Sequence, residues 1–248
     1  MKIILCGACG KMGRNVSELA EGEIVCGVDL FPSPMPFPVY RTFGEITEKA
    51  DCVIDFSSAQ ELKSRLAFCE EHNLPVVLAS TGFSEEDLAL IREYAKKIPV
   101  FKTGNLSIGV NLLQMLVKKA AEILGDGFDA EIVERHHRYK KDAPSGTALM
   151  LAESVNEGFG GSKFNVYGRQ GNVGARRPDE IGIHAVRGGT IVGEHEVSFA
   201  GEDEIITLSH SARSRKVFAS GALKAAAFLI GKPAGMYDMN DLLADVIG

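Results

Sequence analysis

The stretch Lys2-Ile3-Ile4-Leu5-Cys6-Gly7-Ala8-Cys9-Gly10-Lys11-Met12-Gly13-Arg14-Asn15 decides how the first half of the chain folds. Residues 2–6, apolar from Ile3 to Cys6, read as a short buried strand, and residues 14–21 carry helical spacing. Gly7, Gly10 and Gly13 stand at the joint between them. Glycines at such a joint let the backbone turn sharply and approach a diphosphate, with the N-terminus of the helix facing the anion. The spacing is GxxGxxG, a variant of the commoner GxGxxG fingerprint.

Further along, strands expected at 23–29, 52–56, 75–79 and 100–102 alternate with helices over 11–21, 59–72 and 85–98. That rhythm predicts a parallel sheet with helices on both faces. Leu30 to Tyr40 contains FPSPMPFPV, whose prolines exclude helix and central strand, so an irregular surface loop is expected there. After a long helix over 111–124 the pattern changes. A strand over 128–135 and a helix over 145–156 precede three strand-like runs at 180–187, 190–199 and 204–210. Gly188-Gly189 and Ala200-Gly201 lie between these runs, which predicts consecutive hairpins and a mainly antiparallel sheet. Residues 216–230 are apolar at helical spacing through Val217, Ala222, Ala225 and Leu229 and are expected to pack back on the first half.

The net charge of −6 argues against nonspecific nucleic-acid binding. No basic N-terminal segment precedes an apolar signal core, and no apolar run is long enough to span a bilayer, so the expected location is the cytoplasm. Cys6, Cys9, Cys26, Cys52 and Cys69 are odd in number and lie mostly on apolar strand or helix patterns, which reads as buried free thiols. Cys6 and Cys9 form a CxxC, but a second ligand pair is missing and the glycines already explain the loop.

Two segments carry chemistry. Asp29 ends the second strand about 20 residues after the glycine loop, where a dinucleotide site places a carboxylate on the adenosine ribose. A carboxylate there repels a 2′-phosphate and Leu30 follows it, so NADH is expected to serve at least as well as NADPH. The second segment is Glu134-Arg-His136-His137-Arg-Tyr-Lys140-Lys-Asp-Ala-Pro-Ser145-Gly146-Thr147-Ala148. Its imidazoles and cations suit proton donation near neutral pH and the holding of carboxylates. Ser145, Gly146 and Thr147 open a helix, whose free N–H groups and two hydroxyls make a second anion site. Adjacent histidines in a strand point to opposite faces and no further ligand pair is spaced to complete a metal site, so no metal is expected. Taken alone, these residues leave open a different amino-acid dehydrogenase with the same nucleotide half and a noncatalytic NAD(H)-binding sensor.

Residues 134–148 resemble the signature E-x-H-H-x-x-K-x-D-A-P-S-G-T-A of the 4-hydroxy-tetrahydrodipicolinate reductase family, also called dihydrodipicolinate reductases, with every fixed position filled. GACGKMGR, DFSS, STGF at 80–83, NLSIGVN at 105–111, VGEHEVSFAG at 192–201, SRKVFASGALKAAAFL and GMYDMNDLL extend the resemblance over essentially the whole chain. It implies an α/β architecture: a Rossmann-like parallel-sheet domain from 1–107 and 216–248, and an α+β domain with a mostly antiparallel sheet from 108–215 for substrate binding and tetramerisation. It also implies reduction of 4-hydroxy-tetrahydrodipicolinate to tetrahydrodipicolinate with NADH or NADPH, in diaminopimelate and lysine biosynthesis. The implied enzyme is a cytoplasmic homotetramer acting on a small dicarboxylate, with no nucleic-acid or membrane partner.

By motif position, the resemblance makes His136 the acid/base and Lys140 a proton donor facing substrate. His137 would bind substrate, and Ser145, Gly146 and Thr147 would hold a substrate carboxylate. Gly7, Ala8, Cys9, Gly10, Lys11 and Met12 would cradle the cofactor diphosphate, with Asp29 on the ribose. Ser80, Thr81, Gly82, Asn105, Leu106 and Ser107 would complete the cofactor site on the nicotinamide side. The chain departs from the family pattern at Leu30, where a basic residue is common, and in the short proline-rich segment that follows. Arg14 and Arg41 are the cations left to serve a 2′-phosphate.

Overall fold

The structure is a computed structural model that describes residues 1–80 and 82–247. The elements of the first half are β1 (Ile3–Cys6), α1 (Lys11–Leu19), β2 (Ile24–Val28), β3 (Val39–Tyr40), β4 (Cys52–Asp55), α2 (Leu62–Glu71), β5 (Val76–Leu78), α3 (Glu85–Ala95) and β6 (Pro99–Lys102). There follow α4 (Ile108–Leu124), β7 (Asp129–His136), α5 (Gly146–Gly158), β8 (Phe164–Tyr167), β9 (Glu180–Arg187), β10 (Gly193–Ala200) and β11 (Ile205–Ala212). The chain closes with α6 (Lys216–Leu229), β12 (Gly235–Tyr237) and α7 (Met239–Ile247). It forms two compact units, one of Met1–Ile108 with Arg215–Gly248 and one of Gly109–Ser214. No helix among the described residues is long and apolar enough to cross a membrane.

The first unit holds a seven-stranded, wholly parallel sheet in the order β12-β6-β5-β4-β1-β2-β3. β1, β4 and β5 are buried along their full length, as a sheet covered on both faces requires. On one face Ile3, Leu5, Ile54 and Phe101 pack with Val16 of α1 and with Ala219, Ala222 and Leu229 of α6. On the other, Ile4, Val53 and Val76 pack with Leu66 and Cys69 of α2 and Ile91 of α3. α6 therefore returns to the first sheet, and its alanines let it lie close against that sheet. Two short strands refine the expected layout. The proline-rich segment ends in β3, which pairs with β2 at the sheet edge (Gly27↔Val39, Val28↔Tyr40), so the expected loop stops before Val39. β12 adds an edge on the far side, where three residues are too few to show an alternation.

The second unit is a five-stranded mixed sheet in the order β11-β10-β7-β9-β8. β10 pairs antiparallel with β11 and with β7, whereas β9 is parallel to both β7 and β8. Thus β10 and β11 form the expected hairpin, but β9 and β10 do not. β7 lies between them, and Gly188-Gly189 begins a connection over β7 rather than a tight turn. One face packs Ile132, Ile183, Val197 and Phe199 against Val117 of α4 and Leu151 and Val155 of α5. Strict alternation along β7 carries Glu134 and His136 onto this same inner face, at its end.

Candidate active site

In the first unit, the glycine loop is shaped by two close approaches. Gly7 has φ +71°, and a Cβ there would lie 2.8 Å from the backbone of Phe56. A Cβ on Gly13 would meet the Gly7 carbonyl oxygen at 2.3 Å, so only glycine lets α1 start directly on the loop. Gly10 caps α1 in an extended conformation with no side-chain cap hydrogen bond, which leaves the first-turn N–H groups for an anion. Ala8 is buried, Cys9 and Met12 are half-buried, and Lys11 is exposed. Cys6 is buried and burial pushes its thiol far above the usual range, so it serves as packing.

Asp29 sits at the end of β2 with Oδ2 accepting from Cys9 N (2.9 Å) and Oδ1 from Phe31 N (3.0 Å). It borders a cavity of about 270 Å³ shared with Gly7, Gly10, Arg41, Ser57 and Arg65. Arg41 thus faces the cavity, whereas Arg14 is bound to the Cys9 carbonyl (3.2 Å) and to Ser33 Oγ (2.9 Å). Beneath the loop lies a buried polar cluster. Asp55 pairs with Arg65 at 2.8 Å and accepts from Ser57 Oγ and Ser80 Oγ, each at 2.6 Å. Arg65 also donates to Ser57 Oγ and to the Ser58 carbonyl.

A second cavity of about 260 Å³ in this unit is bordered by Met12, Phe56, Ala79, Thr103, Asn105 and Leu106. Asn105 Oδ1 accepts from Ser107 N at 2.8 Å, which folds residues 105–107 into a tight turn. Gly82 has φ +80°. Thr81 lies outside the described residues. A loop cradle that side chains would fill, an uncapped helix N-terminus and a carboxylate at the end of β2 fit a dinucleotide.

In the second unit, the decisive side chain is Glu134, fully buried on β7. His136, two residues along the same face, places Nδ1 2.6 Å from Glu134 Oε2. The strand register sets Arg187 opposite His136, and Arg187 donates to both oxygens of Glu134 at 2.7 Å. Ser145 N donates to Glu134 Oε1 at 2.9 Å, which ties the start of α5 to the same carboxylate. Ser145 Oγ caps α5 by accepting from Ala148 N (3.1 Å) and lies 3.0 Å from His195 Nε2. The His195 ring meets the His136 ring edge-on at 5.2 Å. Lys140 Nζ is 2.9 Å from Asp142 Oδ1, and the turn that presents it is closed by Lys140 N donating to the His137 carbonyl. His137 is half-buried, Gly146 is exposed and Thr147 is half-buried.

These contacts set the charges. Burial pushes the Glu134 carboxyl up, but hydrogen bonds from Arg187, His136 and Ser145 N outweigh it and hold the group below its ordinary value. Burial pushes His136 down, partly offset by Glu134. Burial and the neighbouring His136 bring His195 to about 4, so it is neutral near pH 7. Because a carboxylate only accepts, the His136 ring proton sits on Nδ1, and Nε2 is the atom that takes up or delivers a proton.

The structure thus brings His136, Lys140 and Ser145 into one cluster of the second unit, and Gly7, Gly10 and Asp29 into one cluster of the first. Glu134, a fixed position of the signature to which the sequence assigns no role, joins the second cluster, as do Arg187 and His195, which the sequence does not single out.

The chain matches the family model for the dihydrodipicolinate reductase N-terminus over residues 1–106 and that for its C-terminus over residues 109–243. It belongs to the dihydrodipicolinate reductase family. The 4-hydroxy-tetrahydrodipicolinate reductase of Caldanaerobacter subterraneus subsp. tengcongensis is 52% identical over 98% of both chains. That of Clostridium tetani is 47% identical over 98% of this chain and 97% of its own. A dipicolinate-bound dihydrodipicolinate reductase from Paenisporosarcina sp. TG-14 has the same fold, with TM-score 0.77 at 25% identity, over 97% of this chain and 98% of that one. Membership of this reductase family accounts for the pairing of a parallel dinucleotide-type sheet with an imidazole-bearing second sheet.

Proposed function

We propose that the chain reduces 4-hydroxy-tetrahydrodipicolinate to tetrahydrodipicolinate, with the 4-hydroxyl lost as water, in diaminopimelate and lysine biosynthesis, using NADH at least as well as NADPH. The observation that carries this reading is the Glu134 carboxylate, to which His136, Arg187 and the N-terminus of α5 are all bound. Such an arrangement aims a tautomerically fixed imidazole and a helix N-terminus at one place, as a small diacid that must be protonated requires. Gly7, Ala8, Cys9, Gly10, Lys11 and Met12 hold the cofactor diphosphate, Asp29 the ribose, and Ser80, Thr81, Gly82, Asn105, Leu106 and Ser107 the nicotinamide side. The reduced nicotinamide supplies the hydride when bound.

The chain's own side chains do the rest. Ser145, Gly146 and Thr147 bind one substrate carboxylate through the start of α5, and His137 binds the substrate from the preceding turn. Lys140 places a cation where negative charge develops on the ring. His136 delivers a proton from Nε2, and Glu134 stabilises the imidazolium before that step and fixes the ring afterwards. Arg187 keeps Glu134 ionised. Asp29 beside the cavity disfavours a 2′-phosphate, and Arg41, which lines the same cavity, lets NADPH serve as well. In this reading the enzyme is a cytoplasmic homotetramer.

The test generates the substrate from pyruvate and aspartate semialdehyde with a coupling synthase and follows NADH and NADPH consumption in parallel. Substrate-dependent oxidation of both, with NADH at least as fast, is expected. Cofactor binding without any turnover would contradict the proposal and leave a noncatalytic NAD(H)-binding protein.

A further inference from the structure

We propose that His195 is a positioning residue: its Nε2–H donates to Ser145 Oγ and thereby turns the Ser145 hydroxyl hydrogen outward, toward the carboxylate of a bound diacid. The inference rests on the reading of Ser145 as a carboxylate-holding residue.

His195 and Ser145 are 5% and 2% exposed, and they face each other from β10 and the N-terminus of α5 at 3.0 Å. A hydroxyl has two acceptor positions and one hydrogen. One acceptor position of Ser145 Oγ is taken by Ala148 N–H at 3.1 Å. What happens at the other depends on which nitrogen of His195 carries the proton. His195 Nδ1 is buried and has no hydrogen-bond partner among the described residues. Its imidazole is neutral near pH 7, so it has a single ring proton.

A proton on Nδ1 would leave a buried N–H orphaned and would draw the Ser145 hydrogen inward onto Nε2. A proton on Nε2 leaves only a lone pair without a partner, which is the smaller penalty. With Nε2–H as donor, both acceptor positions of Ser145 Oγ are filled from within the unit. Its hydrogen then has nowhere to point but away from Ala148 and His195. The register reinforces the placement, because His195 stands directly opposite Glu134 on one side and His210 on the other. The strand that carries His195 is thus locked to the strand that carries the proton-delivering His136.

The test measures the affinity of pyridine-2,6-dicarboxylate by titration calorimetry, using the full chain saturated with NADH. The proteins are wild type, Ser145→Ala, His195→Leu, His195→Gln and the Ser145→Ala/His195→Leu double variant. The side-chain amide of Gln places an N–H close to the position of Nε2. His195→Leu is expected to weaken the diacid by about tenfold, with NADH affinity unchanged, and His195→Gln to recover most of the loss. In the Ser145→Ala background, His195→Leu is expected to have no further effect.

Additive losses in the double variant, or Gln no better than Leu, would overturn the proposal. A weakened Ser145→Ala beside an unaltered His195→Leu would overturn it while sparing the reading of Ser145. An unaltered Ser145→Ala would overturn both. The wild-type protein offers a check that needs no variant: nitrogen NMR should show His195 protonated at Nε2, and the opposite tautomer would overturn the proposal.

Discussion

The Glu134 carboxylate accepts a 2.6 Å hydrogen bond from His136 Nδ1 while Arg187 grips both of its oxygens at 2.7 Å. One buried anion thus sets the tautomer of the imidazole, and one half-buried guanidinium keeps that anion charged. Glu134→Gln removes the charge and offers an amide N–H where His136 needs an acceptor. A fall in kcat of about 100-fold is expected, with the KM for NADH unchanged. Steady-state kinetics check it, and an unaltered kcat would remove Glu134 from the mechanism.

How much of this was legible in the sequence follows from how far apart the parts lie. His136, Lys140 and Ser145 fall in one fifteen-residue run, and the glycine loop falls in another, so local spacing and resemblance suffice to find them. Arg187 and His195 reach Glu134 only through strand register, which no local pattern encodes. The same limit explains the misplaced hairpin: Gly188-Gly189 is a good turn signal, but β7 enters between β9 and β10 from fifty residues upstream. β3 and β12 are too short to show a period. The fully buried strands of the first sheet, by contrast, are written as continuous apolar runs that need no tertiary context.

Gly193 leaves room for the His136 imidazole, since a Cβ at that position would lie 3.1 Å from His136 Nε2. Gly193→Ala asks the ring to give by a few tenths of an ångström, and Gly193→Val asks for more. Gly193→Val is therefore expected to lower kcat by about tenfold or more, with thermal stability and NADH affinity much less affected. Parallel kinetics and NADH titration check this. Equal kcat in both variants and wild type would show that the ring tolerates the displacement.

The Asp55–Arg65 pair is at most 1% exposed on either side chain. Arg65→Met leaves the Asp55 charge to the hydroxyls of Ser57 and Ser80 and is expected to cost about 3–5 kcal/mol. Neutralising the orphaned charge with Asp55→Asn in the same chain should restore part of the loss. Denaturant melts of the two variants check this, and a double variant no more stable than Arg65→Met would contradict it.

Glu131 supplies an acid-sensitive contribution to stability. Burial pushes its carboxyl up, but Arg169, His184 and Arg176 outweigh burial and bring it from 4.5 to about 2. The folded value lies below the unfolded one, so the stabilisation is complete above about pH 4.5 and is lost as pH falls through about 2. Its ceiling near neutral pH is about 3 kcal/mol, reduced by contact with solvent. Glu131→Gln is expected to lower the melting temperature at pH 7 and to flatten the loss of stability between pH 4.5 and 2. Melting curves across that range check it; curves that run parallel to wild type would assign the acid sensitivity elsewhere.

The most direct measurement is a crystal structure of the chain with a reduced nicotinamide cofactor and pyridine-2,6-dicarboxylate bound together. One diacid carboxylate is expected on the N–H groups and hydroxyls at Ser145 to Thr147, with His136 Nε2 within about 3 Å of the ring or its second carboxylate. A diacid bound away from Glu134, His136 and the start of α5 would contradict it.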